Sequence, residues 1–220
     1  MVQHRQTTPR EEHHPITRTK IMKKLSVFIV ESMRADDLYN GLLEAEAIAQ
    51  ILRLLRVDAV CKTVVDRDHL SKAIREAGLR GASVFHLSCH ARREDFDLTA
   101  DEGMSWTDLA KIAEKHLKKS VLSLSACEAG NVAIAEAFRK QDSPPSYIVG
   151  PETGVGYAQA CVAWSVFYHY LAEKGVTREH MQSALDRMNQ AVDSNFLYRR
   201  WTGQRYLRYP SVNKSTKRGM

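Results

Sequence analysis

Apolar positions along this chain fall into two alternating patterns. Short, largely apolar runs occur at Leu25–Val30, which is rich in β-branched residues, and at Ala59–Val65, Val84–Ala91, Val121–Ala126 and Tyr147–Val149. Each predicts a strand. Between them, apolar residues recur at helical spacing. Residues 39–56 carry Leu42, Leu43, Ile48, Leu52 and Leu55 near that period. Residues 66–77 put Leu70, Ala73, Ile74 and Ala77 on one face, with Gly78 as the expected stop. Ser105-Trp106-Thr107-Asp108 reads as a capped helix start, and that helix is expected to end near Leu117. Further helices are predicted from Asn131 to Arg139, over Tyr157–Lys174, and over Thr177–Val192, where Met181, Ala184, Leu185 and Met188 are in register. The charged stretch 92–104 and Gly154–Gly156 read as loops, and Ser143-Pro144-Pro145 as a break. Strands without polar alternation, separated by helices, predict an α/β fold: a mostly parallel central sheet with helices on both faces.

Composition narrows the picture. The chain has 220 residues, 44% of them hydrophobic and 26% charged, which suits one soluble domain with a sizeable core. No run approaches the roughly 18–20 apolar residues of a membrane span, and the N-terminus has no signal-peptide pattern. A cytoplasmic protein with reduced thiols is expected. Cysteines 61, 89, 127 and 161 have no CxxC spacing, so neither a disulfide framework nor a zinc knuckle is expected. The net charge of +6 is unevenly spread: residues 1–24 carry +4, 194–220 carry +7, and the body between them carries −5. This divides the chain into a flexible basic arm (1–24), a folded body (25–193) and a basic, aromatic-rich extension (194–220). In the extension, arginines interleave with Phe196, Tyr198, Trp201, Tyr206 and Tyr209. Such a mixture can bind nucleic acid by stacking on bases and contacting phosphates. Trp201, Tyr206 and Leu207 are apolar enough that docking on the acidic body is the favoured reading.

Two segments carry the chemistry. Val84-Phe85-His86-Leu87-Ser88-Cys89-His90-Ala91 delivers an imidazole, His90, at a strand end, and Val121-Leu122-Ser123-Leu124-Ser125-Ala126-Cys127-Glu128-Ala129-Gly130 delivers a thiol, Cys127, just before a turn and a helix. Sites in open parallel sheets lie beyond the carboxyl ends of the strands. A helix N-terminus favours thiolate, and a thiol nucleophile needs a base. His86 is expected to be buried and hydrogen-bonded, and Cys61, Cys89 and Cys161 to be buried apolar groups. On a strand rising ~3.3 Å per residue, His86 and His90 stand roughly 13 Å apart, too far to share a metal ion.

Together these segments resemble the CHAT domain, a branch of the caspase-like (clan CD) cysteine peptidases. Leu124-Ser125-Ala126-Cys127 matches the family pattern in full, and Gly103-Met104-Ser105-Trp106-Thr107-Asp108-Leu109 fits its helix entry. The resemblance covers roughly residues 25–192 and implies a caspase-like three-layer fold. It also implies a cysteine endopeptidase with His90 as general base and acid, Cys127 as nucleophile, and no cofactor. The oxyanion would be held by the backbone N–H groups of Cys127 and Ala91. A protein substrate, restraint by a separate sensor or regulatory protein, and a setting in bacterial defence follow from the same resemblance. Two departures are visible. Ala91 stands where the family has Gly, a cost only if the site requires a positive φ. An acidic pocket residue is expected near Tyr157, and none is there; Glu152 and Asp95 are the candidate substitutes. The rival reading is a catalytically silent caspase-like interaction module.

Overall fold

The computed structural model describes residues 24–211. The arm expected over 1–24 and the tail beyond 211 therefore lie almost wholly outside the described residues.

The sequence patterns become a single sheet. Strands β1 (Ser26–Ser32), β2 (Asp58–Thr63), β3 (Val84–Ala91), β6 (Val121–Ser125) and β7 (Tyr147–Pro151) are parallel, in the order β2-β1-β3-β6-β7. Strands β8 (Phe196–Trp201) and β9 (Tyr206–Pro210) extend the sheet antiparallel beyond β7. Two short strands, β4 (Asp95–Asp97) and β5 (Met104–Ser105), form a side ribbon on the end of β3.

Strand alternation sends side chains to two cores. Phe28, Val30, Phe85, Leu87, Leu122, Leu124 and Ile148 pack against α3 (Arg67–Arg80), α4 (Trp106–Ala113) and α5 (Val132–Arg139). Val27, Ile29, Val84, Val121 and Val149 pack against α2 (Glu44–Leu54), α6 (Tyr157–Lys174) and α7 (Arg178–Ala191). The expected three-layer fold is the one observed.

Local chemistry explains where the elements differ from expectation. The helix expected over 39–56 is shorter, being α2 alone; a separate short helix, α1 (Ala35–Tyr39), precedes it, and Gly41 at φ +70° lies between the two. Helix α3 runs past Gly78 and ends at Gly81, which adopts the left-handed conformation. Gly78 serves packing instead: a Cβ there would lie 2.9 Å from the His116 carbonyl oxygen. The α4 helix stops at Ala113, short of Leu117. Residues 92–104 are not all loop, because Asp95–Asp97 pairs with β3.

The aromatic-basic stretch does dock on the body, as two strands of the sheet, so the sheet continues past residue 193. Its aromatics are engaged with one another. Tyr198 stacks on Tyr209 at 4.8 Å, and Trp201 meets Tyr206 at 5.0 Å.

One face carries a buried polar row. Ser88 on β3 donates to Glu44 at 2.7 Å, and Glu31 on β1 accepts from the Ala45 amide at 2.9 Å. Helix α2 has no side-chain cap of its own, so Glu31 satisfies one of its free N-terminal donors. Burial pushes the Glu44 carboxyl up to about 7, against the lowering effect of its hydrogen bonds. Burial also pushes Glu31 up. A carboxyl raised in the folded state binds protons that the unfolded chain has released, so stability falls as pH rises from about 4.5 to about 7. Glu44 alone accounts for a loss of about 3 kcal/mol across that window. Chemical denaturation at pH 5 and pH 8 should therefore show that Glu44→Gln flattens the pH dependence. An equal loss in the variant and the parent would refute the assignment.

Candidate active site

Register brings the two candidate residues to one rim. Ser88 pairs with Ser125 across β3 and β6. His90 lies two residues beyond Ser88, and Cys127 two beyond Ser125. His86, Ser88 and His90 share one side of β3, the side facing α2 and α6. His86 bonds Tyr168, Ser88 bonds Glu44, and His90 bonds Tyr157. The Cys127 thiol contacts the same region: its Sγ is 4.0 Å from the Val155 carbonyl oxygen. A Cβ on Gly154 would lie 3.9 Å from Sγ. Imidazole and thiol thus both reach the segment 154–157, which leads into α6.

His90 has a partner the sequence did not reveal. Its Nε2 is 2.6 Å from Asp37 Oδ2 on α1, and 2.9 Å from the Tyr157 hydroxyl. Burial would raise the Asp37 carboxyl, but hydrogen bonds from His90 and Tyr157 outweigh it and hold Asp37 below the usual carboxylate range. An ionised carboxylate only accepts, so Nε2 carries the proton and donates. The Tyr157 hydroxyl donates to Asp37 as well, and its own pKa is raised, first by burial and then by that bond. With Nε2 protonated, the neutral ring keeps its lone pair on Nδ1. A ring in this tautomer can accept a proton only at Nδ1. His86 does not compete: it is fully buried, and burial alone pushes it down to about 3.

Burial pushes Cys61 up to about 12, and raises Cys89 and Cys161 too. Cys89 is buried as expected, whereas Cys61 and Cys161 are only half-buried. Cys127 sits half-buried at the start of a turn that is tightly fixed. Glu128, immediately after it, holds φ +58°, an uncommon conformation for a residue with a side chain. The Glu128 amide donates to the Thr153 carbonyl, and the Gly130 amide donates to the Pro151 carbonyl at 2.7 Å. Only glycine fits at 130, because a Cβ would lie 2.8 Å from the Gly150 carbonyl oxygen. Asn131 caps α5 through the Ala133 and Ile134 amides. Among the described residues, the Cys127 amide makes no backbone hydrogen bond and remains available as a donor.

Ala91 closes β3 opposite Phe96, and its φ is not positive. Alanine in place of glycine therefore carries no conformational cost here. The candidate pocket residues are dispersed. Tyr157 bonds His90, Asp95 is tied to Arg92 at 2.8 Å, and Glu152 is ion-paired with Arg208. Glu152 also borders a depression of about 280 Å³ beside the Cys127 turn, together with Arg93, Glu128, Asn131 and Arg199. No three His, Cys, Asp or Glu side chains converge as a metal site among the described residues, and no helix there is long and apolar enough to cross a membrane.

The chain matches no protein-family model and no curated protein. Solved structures do share its fold. A secreted C11 cysteine protease from Bacteroides thetaiotaomicron, iotapain, superposes with a TM-score of 0.56 at 12% identity, over 82% of this chain and 67% of that one. The Arg-specific cysteine proteinase gingipain R superposes with a TM-score of 0.51 at 14% identity, over 76% of this chain and 42% of that one. The chain thus spans about two thirds of the first protein and less than half of the second. These neighbours are caspase-like cysteine proteases, and the fold of this chain is theirs.

Proposed function

We propose that the protein is a cysteine endopeptidase in which Cys127 is the nucleophile, His90 the general base and acid, and Asp37 the residue that orients His90. The observation that carries this reading is the hydrogen bond from His90 Nε2 to an ionised Asp37, at 2.6 Å, on the rim where Cys127 emerges. It leaves Nδ1 to take the thiol proton. The thiolate attacks a peptide carbonyl, and the developing oxyanion is met by the Cys127 amide, with Ala91 as second donor. His90 returns the proton to the leaving amine and then activates water to release the acyl group.

Within the caspase-like proteases, Leu124-Ser125-Ala126-Cys127 and the Gly103–Leu109 helix entry favour the CHAT branch. The substrate is then a protein in the cytoplasm, in a defence setting, with activity restrained in trans. Support for restraint comes from α1, which has five residues, none of them buried, and yet carries Asp37. A partner that orders or displaces α1 would govern the base. The rival reading, a silent interaction module, drew support from Ala91 and from the missing acid near Tyr157; the unstrained backbone at Ala91 removes the first of these.

Two measurements test the proposal. Labelling with a peptidyl acyloxymethyl ketone, read by mass spectrometry, should modify Cys127 before Cys61, Cys89 or Cys161, and His90→Ala should slow that labelling. Equal labelling of all four thiols would sink the proposal. Asp37→Ala should lower kcat/KM by roughly tenfold or more, since the imidazole loses its fixed tautomer and orientation. Unchanged kcat/KM would remove Asp37 from the site.

A further inference from the structure

We propose that the β8–β9 hairpin holds the active site in its working shape, with Arg199 and Arg208 as positioning residues. The inference rests on the reading of Cys127 as nucleophile, and it gives the basic C-terminal stretch a role there.

Arg199 is an expensive residue in its place. It is 8% exposed, and among the described residues no carboxylate lies within ion-pair distance. Burial pushes its pKa down, which measures the cost of keeping the charge there. An aliphatic side chain would satisfy the packing at lower cost. What the guanidinium adds is a pair of donors. Nε and Nη2 both point to the Gly130 carbonyl oxygen, at 3.2 and 3.1 Å. Gly130 is three residues past Cys127, at the end of the turn that presents the thiol and its free amide.

The same hairpin grips the other wall. The Glu152 amide donates to the Asn195 carbonyl at 2.7 Å, just before β8, and Arg208 on β9 pairs with the Glu152 carboxylate. The segment after Glu152 accepts the Glu128 amide at Thr153 and contacts the Cys127 sulfur through Gly154 and Val155. Both pieces of backbone that enclose the thiol are therefore latched to residues 195–208. The turn needs such a latch: Glu128 holds a positive φ, and strained backbone persists only where its surroundings over-determine it.

The experiment uses the full chain with Arg199→Ala and Arg208→Gln. Amide hydrogen exchange is followed in peptides covering 126–131 and 151–156, with 178–191 as reference. Arg199→Ala should speed exchange in the first two regions by about tenfold or more, as expected for losing a hydrogen bond from a charged donor. The reference should not move. Inactivation by the acyloxymethyl ketone, which needs the positioned amide and base, should fall about tenfold. Alkylation of Cys127 by iodoacetamide should change far less, and added guanidinium should restore part of the ketone rate.

Unchanged exchange in both loops would overturn the proposal. So would parallel falls in both labelling rates that track a lowered melting temperature, since those mark a merely structural residue. If Arg199→Ala does not fold, Arg208→Gln, at an exposed position, decides: faster exchange at 151–156 supports the latch and no change refutes it. A parent protein that ignores the ketone at Cys127 would defeat the peptidase reading instead. The exchange data would still report whether the hairpin holds the loops.

Discussion

Parallel pairing of β3 with β6, with Ser88 opposite Ser125, is the constraint on which the site depends. Side chains alternate along a strand with a period of two, so a slip of one residue would turn His90 to the opposite face from Cys127. The register is secured by burial on both faces. Phe85, Leu87, Leu122 and Leu124 fill one core, while Val84 and Val121 fill the other. A slip would exchange those two sets. The apolar sequence of each strand is therefore also what aligns the imidazole with the thiol.

On that frame, polar groups are spent unevenly. The face beneath the candidate site holds Glu31, Glu44, Ser88 and His86, all buried. Hydrogen bonds to Ala45, Ser88 and Tyr168 offset part of the desolvation cost. The strained Glu128, the squeezed Gly130 and the buried Arg199, which has no ion-pair partner among the described residues, add further costs around the Cys127 turn. Concentrated local expense of this kind is typical of functional sites, where geometry is bought with stability.

Much of this was legible in the sequence, for physical reasons that differ by element. The parallel strands read correctly because most of their positions are apolar; the central ones, β1, β3, β6 and β7, are buried on both faces, and the edge strand β2 is only half-buried. Helix α6 read correctly because its N- and C-terminal glycines, Gly156 and Gly175, mark the ends. His90 and Cys127 stood out as candidates because each lies near the end of an apolar strand segment. Asp37 was not. It lies on a five-residue helix with no buried face, so no periodicity marks it, and its partner is 53 residues away. Residues 92–104 looked like a loop because β4 and β5 are too short to show alternation. The contact from Arg199 to Gly130 spans 69 residues and leaves no local trace at all.

The proposed chemistry requires His90 and Cys127 to act on one bound peptide. A crystal structure of the protein with a peptide aldehyde addresses that directly. The predicted result is a hemithioacetal on the Cys127 sulfur, its oxygen within hydrogen-bond reach of the Cys127 amide, and His90 Nδ1 turned toward the adduct while Nε2 stays on Asp37. An unmodified Cys127, or an adduct with the imidazole facing away from it, would contradict the account.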